Sequence, residues 1–352
     1  MGNIPQYFKP GADFRRILVA GSVALLATAV IADTGTTAFR RGDFAAAANQ
    51  FMARAERGDR VAQNNLGALY LRGRGVPQDY DQAKSWFEQA AAAELAGAMF
   101  NLGILYLRGY GVTTDQAQAT GWFELGAVAG DREAQFYLAL QYYNGRGVVR
   151  DLTAAAAWFR RAADQGLGAA QYNLAIMHLR GEAVTADEAV ALALLQRAAQ
   201  QGHEAAELTI GRIHLEHVDD PQRAALASEL FQRLAEDGNA DAQMTLGMNY
   251  TLGRGVTQDY EEGRFWLKLA SNQGSDDAQL NLGNLYATGI GVDRDVVRAY
   301  AWYLLSAYNG NMAGQSSRDA LAHELDPDDL DQAQTLAREL SGNVPSSSAQ
   351  PH

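Results

Sequence analysis

The stretch Ala62-Gln63-Asn64-Asn65-Leu66-Gly67-Ala68-Leu69-Tyr70-Leu71-Arg72-Gly73-Arg74-Gly75-Val76-Pro77-Gln78-Asp79-Tyr80, followed by Trp86-Phe87 and Ala90-Ala91, decides the fold. Ala62, Leu66, Leu69 and Tyr70 recur at three- and four-residue spacing, which on a helix draws a single apolar stripe. This is helix A of a unit. Gly73 ends it, because glycine accepts the left-handed conformation that satisfies the last carbonyls, and Gly75 lets the chain turn back. Asp79 stands where a second helix needs an N-cap, with Gln82 as its capping-box partner, and Asp259 with Glu262 repeats the arrangement. Helix B then carries Ala83, Trp86, Phe87, Ala90 and Ala91, with Trp86 expected to fill the gap that the small alanines leave. Truncating such a tryptophan is expected to cost about 3–5 kcal/mol.

Outward from this stretch the same pattern returns every 36 residues. Trp86, Trp122, Trp158, Trp266 and Trp302 are the five tryptophans of the chain, and all lie on that lattice. Ala62, Ala98, Ala134, Ala170, Ala206, Ala242 and Ala278 mark seven full units. Tyr70, Tyr106, Tyr142, Tyr250 and Tyr286 share another register, filled by His178 and His214 in the fourth and fifth units. A lone helix pair cannot bury both its stripes, so each unit leans on the next and the array needs end caps.

The quoted segment resembles the Sel-one-like repeats, relatives of the tetratricopeptide repeats, and the resemblance runs over residues 34–313. It implies an all-α fold: a right-handed superhelical solenoid of stacked helix-turn-helix repeats. Residues 34–61 form an N-terminal half repeat that caps the stack, 62–313 the seven repeats, and 314–342 C-terminal capping helices. In that last segment Asp326-Pro327-Asp328-Asp329 is a helix start, with a capping side chain, proline at the first helical position and acids near the positive end of the dipole. Residues 343–352 have nothing to pack and are expected to be disordered.

Lys9, Arg15 and Arg16 precede an apolar run at 17–32 that is too short for an ordinary spanning helix and ends in small residues. Residues 1–32 therefore read as a signal peptide cleaved after Ala32, or as a retained inner-membrane anchor. The protein is expected to be periplasmic or secreted, or anchored facing the periplasm, and to touch the membrane only if the segment is kept. The chain has no cysteine, which excludes a disulfide scaffold and a lipidated N-terminal cysteine. Its formal charge of −12 argues against nucleic acid as a partner.

No catalytic constellation, cofactor motif or phosphate loop is present, and the Gly-x-Gly steps recur once per unit as turns. His178, His214 and His217 with Asp219 and Asp220 could be imagined around a metal, but equivalent places in stacked repeats lie roughly 10 Å apart, and packing is the better reading. Units four and five, residues 170–241, lose the tryptophan to Leu194 and Leu230, and the fifth replaces its glycine loop with Glu216-His217-Val218-Asp219-Asp220-Pro221. Either this is a central bend or binding segment, or it is drift in a tolerant middle repeat.

By analogy with the related arrays, A helices line the inner wall. Phe100, Ile104 and Arg108, then Phe136, Leu140, Tyr143 and Asn144, then Tyr172, Ile176 and Arg180, with Arg72 continuing the row, are expected to form an apolar trough edged by guanidiniums. The alternative is that a tightly wound stack buries them. The implied function is a non-catalytic interaction scaffold of the bacterial cell envelope that binds a partner protein or peptide. The competing reading is a cell-wall or β-lactam hydrolase, an activity associated with cysteine-rich members whose paired cysteines this chain lacks.

Overall fold

The computed structural model describes residues 34–342. The leader or anchor expected at 1–32 and the tail expected at 343–352 lie outside the described residues. Among the described residues there are 18 α-helices, one 3-10 turn at Ala322–Glu324 and no strand.

Contacts divide the chain into two units, one ending at His203 and one beginning at Glu204. In the first, α1 (Thr34–Arg40) and α2 (Phe44–Ala55) precede four hairpins: α3 (Arg60–Arg72) with α4 (Tyr80–Ala92), α5 (Ala96–Arg108) with α6 (Gln116–Val128), α7 (Arg132–Asn144) with α8 (Leu152–Asp164), and α9 (Gly168–Arg180) with α10 (Glu188–Ala199). In the second, α11 (Glu204–Leu215) pairs with α12 (Pro221–Glu236), α13 (Ala240–Leu252) with α14 (Tyr260–Asn272), and α15 (Asp276–Thr288) with α16 (Val296–Tyr308). The chain continues through α17 (Met312–Leu321) to α18 (Pro327–Ser341). Within each unit, successive hairpins pack on one another as a helical solenoid.

Local chemistry sets the helix ends. Gly73, at φ 63°, closes α3 in the left-handed region and Asp79 Oδ1 accepts the Gln82 amide at 2.9 Å to open α4. Asp326 accepts the Asp329 amide at 2.9 Å ahead of Pro327, and the small faces of Ala333 and Ala337 in α18 are buried. The second loop glycine, Gly75 at φ 72°, does more than turn: a Cβ there would collide with the Phe44 backbone at the start of α2. Gly111 stands in the same relation to Tyr80, so this glycine is where one hairpin's loop seats on the preceding helix B.

The core departs from expectation at the aromatics. The fully buried lattice position is the one after the tryptophan, occupied by Phe51, Phe87, Phe123, Phe159 and Phe231 and, in place of phenylalanine, by Leu195 and Leu267. Trp86, Trp122 and Trp158 are only half-buried, whereas Trp266 and Trp302 are buried. The physical reason is a small residue on the facing helix A, Gly67 in the first repeat and Gly103 in the second, into which the ring settles. Glutamine amides tie the stack: Gln135 Nε2 donates to the Ala127 carbonyl of the preceding repeat at 3.2 Å, and Gln165, in the same repeat as Gln135, donates to Gln135 Oε1 at 2.9 Å and back to the Gly130 carbonyl at 3.1 Å. Gln171 with Gln201, and Gln243 with Gln273, repeat that ladder.

Candidate docking face of the A helices

In the first unit the A helices share one face. Side chains bridge them directly: Asn101 Nδ2 on α5 donates to Asn64 Oδ1 on α3 at 2.8 Å, and both amides are buried. Tyr143 at the end of α7 donates its hydroxyl to Glu182 Oε2 at 2.8 Å, just past the end of α9.

The eleven residues expected to line a trough separate into three groups. Phe100, Phe136 and Tyr172 are buried, at 1%, 5% and 5% exposure, and are core rather than lining. Phe100 meets Tyr137 edge-on at 5.3 Å between ring centroids, Phe136 packs against Phe159 at 5.8 Å, and Tyr172 stacks on His203 at 4.8 Å. Phe100 is covered by the next hairpin, through Tyr137, whereas Phe136 and Tyr172 are closed off within their own repeats, by Phe159 and by His203. Ile104, Leu140, Tyr143, Ile176 and Arg180 are half-buried, and Arg72, Arg108 and Asn144 are exposed. What remains open is an apolar row of Ile104, Leu140 and Ile176, one residue per repeat, with polar and cationic groups one helical turn further on.

That polar edge is wired. Arg180 Nη1 lies 3.7 Å from Glu182 Oε1 and 3.5 Å from the Tyr143 hydroxyl, so one carboxylate holds a guanidinium and a phenol from neighbouring repeats. Burial first, and then Glu182, pushes the Tyr143 phenol upward. Asn144 is occupied locally, its Nδ2 donating to the Leu140 carbonyl at 2.9 Å. Glu182 and Arg74 both belong to this edge and escaped the sequence reading, which treated the middle residue of each glycine loop as turn.

His178 is a packed member of the tyrosine register: its Nδ1 lies 3.0 Å from the Thr185 carbonyl, inside its own hairpin. Among the described residues no three His, Asp or Glu side chains converge as metal ligands would. No described helix is long and apolar enough to cross a membrane.

The Sel1 repeat model matches residues 60–95, 96–131, 132–167, 168–203, 240–275 and 276–311, six consecutive or near-consecutive copies that account for more than half of the chain. The chain belongs to the Sel1 repeat family. The segment left unmatched, 204–239, is the fifth unit, in which α12 starts on Asp220 and Pro221 without a glycine loop before it. A solved Sel1 repeat protein from Oxalobacter formigenes is 32% identical, with 82% of this chain and 87% of that one covered and a TM-score of 0.59. The protein c5321, described as a protective antigen of uropathogenic Escherichia coli with an SLR fold, is 28% identical over 87% of this chain and 75% of its own, at a TM-score of 0.54. None of the curated proteins matches the chain. Sel1 repeat proteins are generally non-catalytic scaffolds that mediate protein–protein interaction, and this Sel1 repeat protein shares their repeat architecture.

Proposed function

We propose that this Sel1 repeat protein is an interaction scaffold of the bacterial cell envelope, and that it takes a partner polypeptide along the A-helix face of its first unit. One observation carries the reading: Ile104, Leu140 and Ile176 remain half-open at identical lattice positions on three successive A helices, while the aromatics one turn before them, Phe100, Phe136 and Tyr172, are sealed. A periodic row of partly exposed apolar side chains matches an extended or helical segment with apolar anchors. Charge distribution supports the first unit as the docking half for a segment with acidic flanks. Residues 34–203 carry 16 Lys and Arg against 16 Asp and Glu, whereas residues 204–342 carry 10 against 23 and would repel such a segment. The envelope address rests on the basic, short apolar segment at 1–32, which has the pattern of a secretory signal.

The test is capture from envelope extracts by the immobilised protein, compared with Leu140→Asp and Ile176→Asp. The expected result is a partner retained by the native chain and lost from both variants, with helicity by circular dichroism unchanged. Retention by both variants would place docking elsewhere. Mass spectrometry of the native N-terminus tests the address: a chain beginning after Ala32 is expected, and an intact leader in a cytoplasmic fraction would refute it.

A further inference from the structure

Two places on the polar edge occupy the same lattice position and hold opposite contents. In every repeat but the fifth, a capping glycine separates the last residue of helix A from the residue two further on. In the fourth repeat these are Arg180 and Glu182, and the carboxylate is bound by the guanidinium and by the Tyr143 hydroxyl. In the first repeat they are Arg72 and Arg74. Elsewhere along the lattice at least one of the pair is uncharged, so only the first repeat doubles the positive charge.

The two guanidiniums stand without a counter-ion among the described residues. Arg74 lies over the Phe44 ring at 5.2 Å, an aromatic contact that fixes the side chain without neutralising it. Arg72 is exposed by area yet crowded enough that partial burial, and then the charge of Arg74, push its guanidinium down from the usual value. A cation at the end of a helix is stabilised by the helix dipole, and that accounts for Arg72 in the last turn of α3. It does not account for Arg74, which lies beyond the Gly73 cap.

We infer that Arg72 and Arg74 anchor a carboxylate of an acidic segment of the partner polypeptide, in the place that Glu182 fills from within the chain in the fourth repeat. Glu182 demonstrates that this edge of the fold accepts a carboxylate. The first repeat has the cations and lacks the acid. The apolar row begins one repeat further on, at Ile104, so an acidic residue held here would start a segment whose apolar side chains run along the same face. A free inorganic anion would make no use of that row. The inference rests on the docking face proposed above and gives it a polarity, with the acidic end at α3.

The experiment uses the full chain and two fluorescein-labelled dodecapeptides, one of alternating Leu and Glu and one in which every Glu is Gln, with binding read by fluorescence anisotropy. The Glu peptide is expected to bind about ten- to a hundredfold more tightly, the range for lost charge-assisted hydrogen bonds. Arg72→Gln and Arg74→Gln are each expected to bring its affinity down to that of the Gln peptide while leaving the Gln peptide's own affinity unchanged. Glu182→Gln is expected to tighten the Glu peptide by releasing Arg180 and Tyr143 as a second carboxylate site. Equal affinity for the two peptides overturns the anchor and leaves the docking face standing, whereas no binding of either overturns both. An equal loss for both peptides in the arginine variants means that the side chains only support the fold. Displacement of the Glu peptide by millimolar inorganic phosphate means a general anion site and overturns the polypeptide assignment.

Discussion

The ring of Phe87 occupies the space into which a side chain at Gly67 would grow: a Cβ built on Gly67 would lie 2.8 Å from both Cδ1 and Cε1 of that ring. Helix α3 and helix α4 are therefore keyed by an absence on one and a fully buried aromatic on the other. Gly67→Ala is expected to destabilise by about 1–3 kcal/mol despite the better helix propensity of alanine, since the ring has to move within a filled core. The fourth repeat pairs Ala175 with Leu195 at these two positions. Combining Gly67→Ala with Phe87→Leu is accordingly expected to cost less than the sum of the two single changes, measured by urea unfolding. Strict additivity would mean that the two sites do not share the space.

Depth of burial orders the aromatics of α4. Phe87 is 0% exposed, whereas its neighbour Trp86 is half-buried. Phe87→Ala is expected to cost about 3–5 kcal/mol and Trp86→Ala less, contrary to the weight that tryptophan carries in the sequence. The comparison of denaturation midpoints decides it, and the reverse order would return the core position to Trp86.

How far the molecule can be read without coordinates follows from which interactions are local. Period, helix ends and caps are settled within a few residues of Gly73, Asp79 and Asp326-Pro327, and these were legible. Trp86 and Phe87 are adjacent on one apolar stripe, about 100° apart around the helix, and nothing within α4 says which points more directly at Gly67. The same limit separates Phe100 from Ile104: both lie on the same side of α5, and only the following hairpin, through Tyr137, decides that the first is covered. Tyr143 meets Arg180 and Glu182 across 37 and 39 residues, so that meeting carried no local signal.

Two residues hold a backbone shape that other repeats assign to glycine. Glu94 at φ 59° stands where the remaining units end on glycine, and Ala183 at φ 56° stands at the second loop glycine of the fourth repeat. They are the non-glycine residues with positive φ among the described residues. A left-handed conformation costs an L-residue about 1–2 kcal/mol, and glycine recovers this less the greater freedom it has in the unfolded chain. Glu94→Gly and Ala183→Gly are each expected to stabilise by about 0.5–1 kcal/mol, seen as a higher midpoint in thermal unfolding. A loss of stability in either would show that the side chain contributes more than its backbone costs.

His203 gives the first unit a dependence on acid. Its imidazole is stacked on Tyr172 and its Nδ1 is buried without a hydrogen-bond partner, and burial lowers its pKa below the ordinary 6.5. Between the lowered folded value and 6.5 the unfolded chain binds the proton and the folded chain does not, so stability rises with pH across that window. The contribution is complete above about pH 6.5 and is lost as pH falls through the folded value, with a slope of at most about 1.4 kcal/mol per pH unit. The carboxyls of Asp131 and Glu133, which burial pushes upward, act in the opposite sense but are common to the native chain and a His203 variant, and cancel in the difference. His203→Phe keeps a ring against Tyr172 and removes the proton-binding site. Stability measured at pH 7 and pH 5 is expected to fall further for the native chain than for the variant, and identical pH profiles would mean that His203 is protonated as readily folded as unfolded.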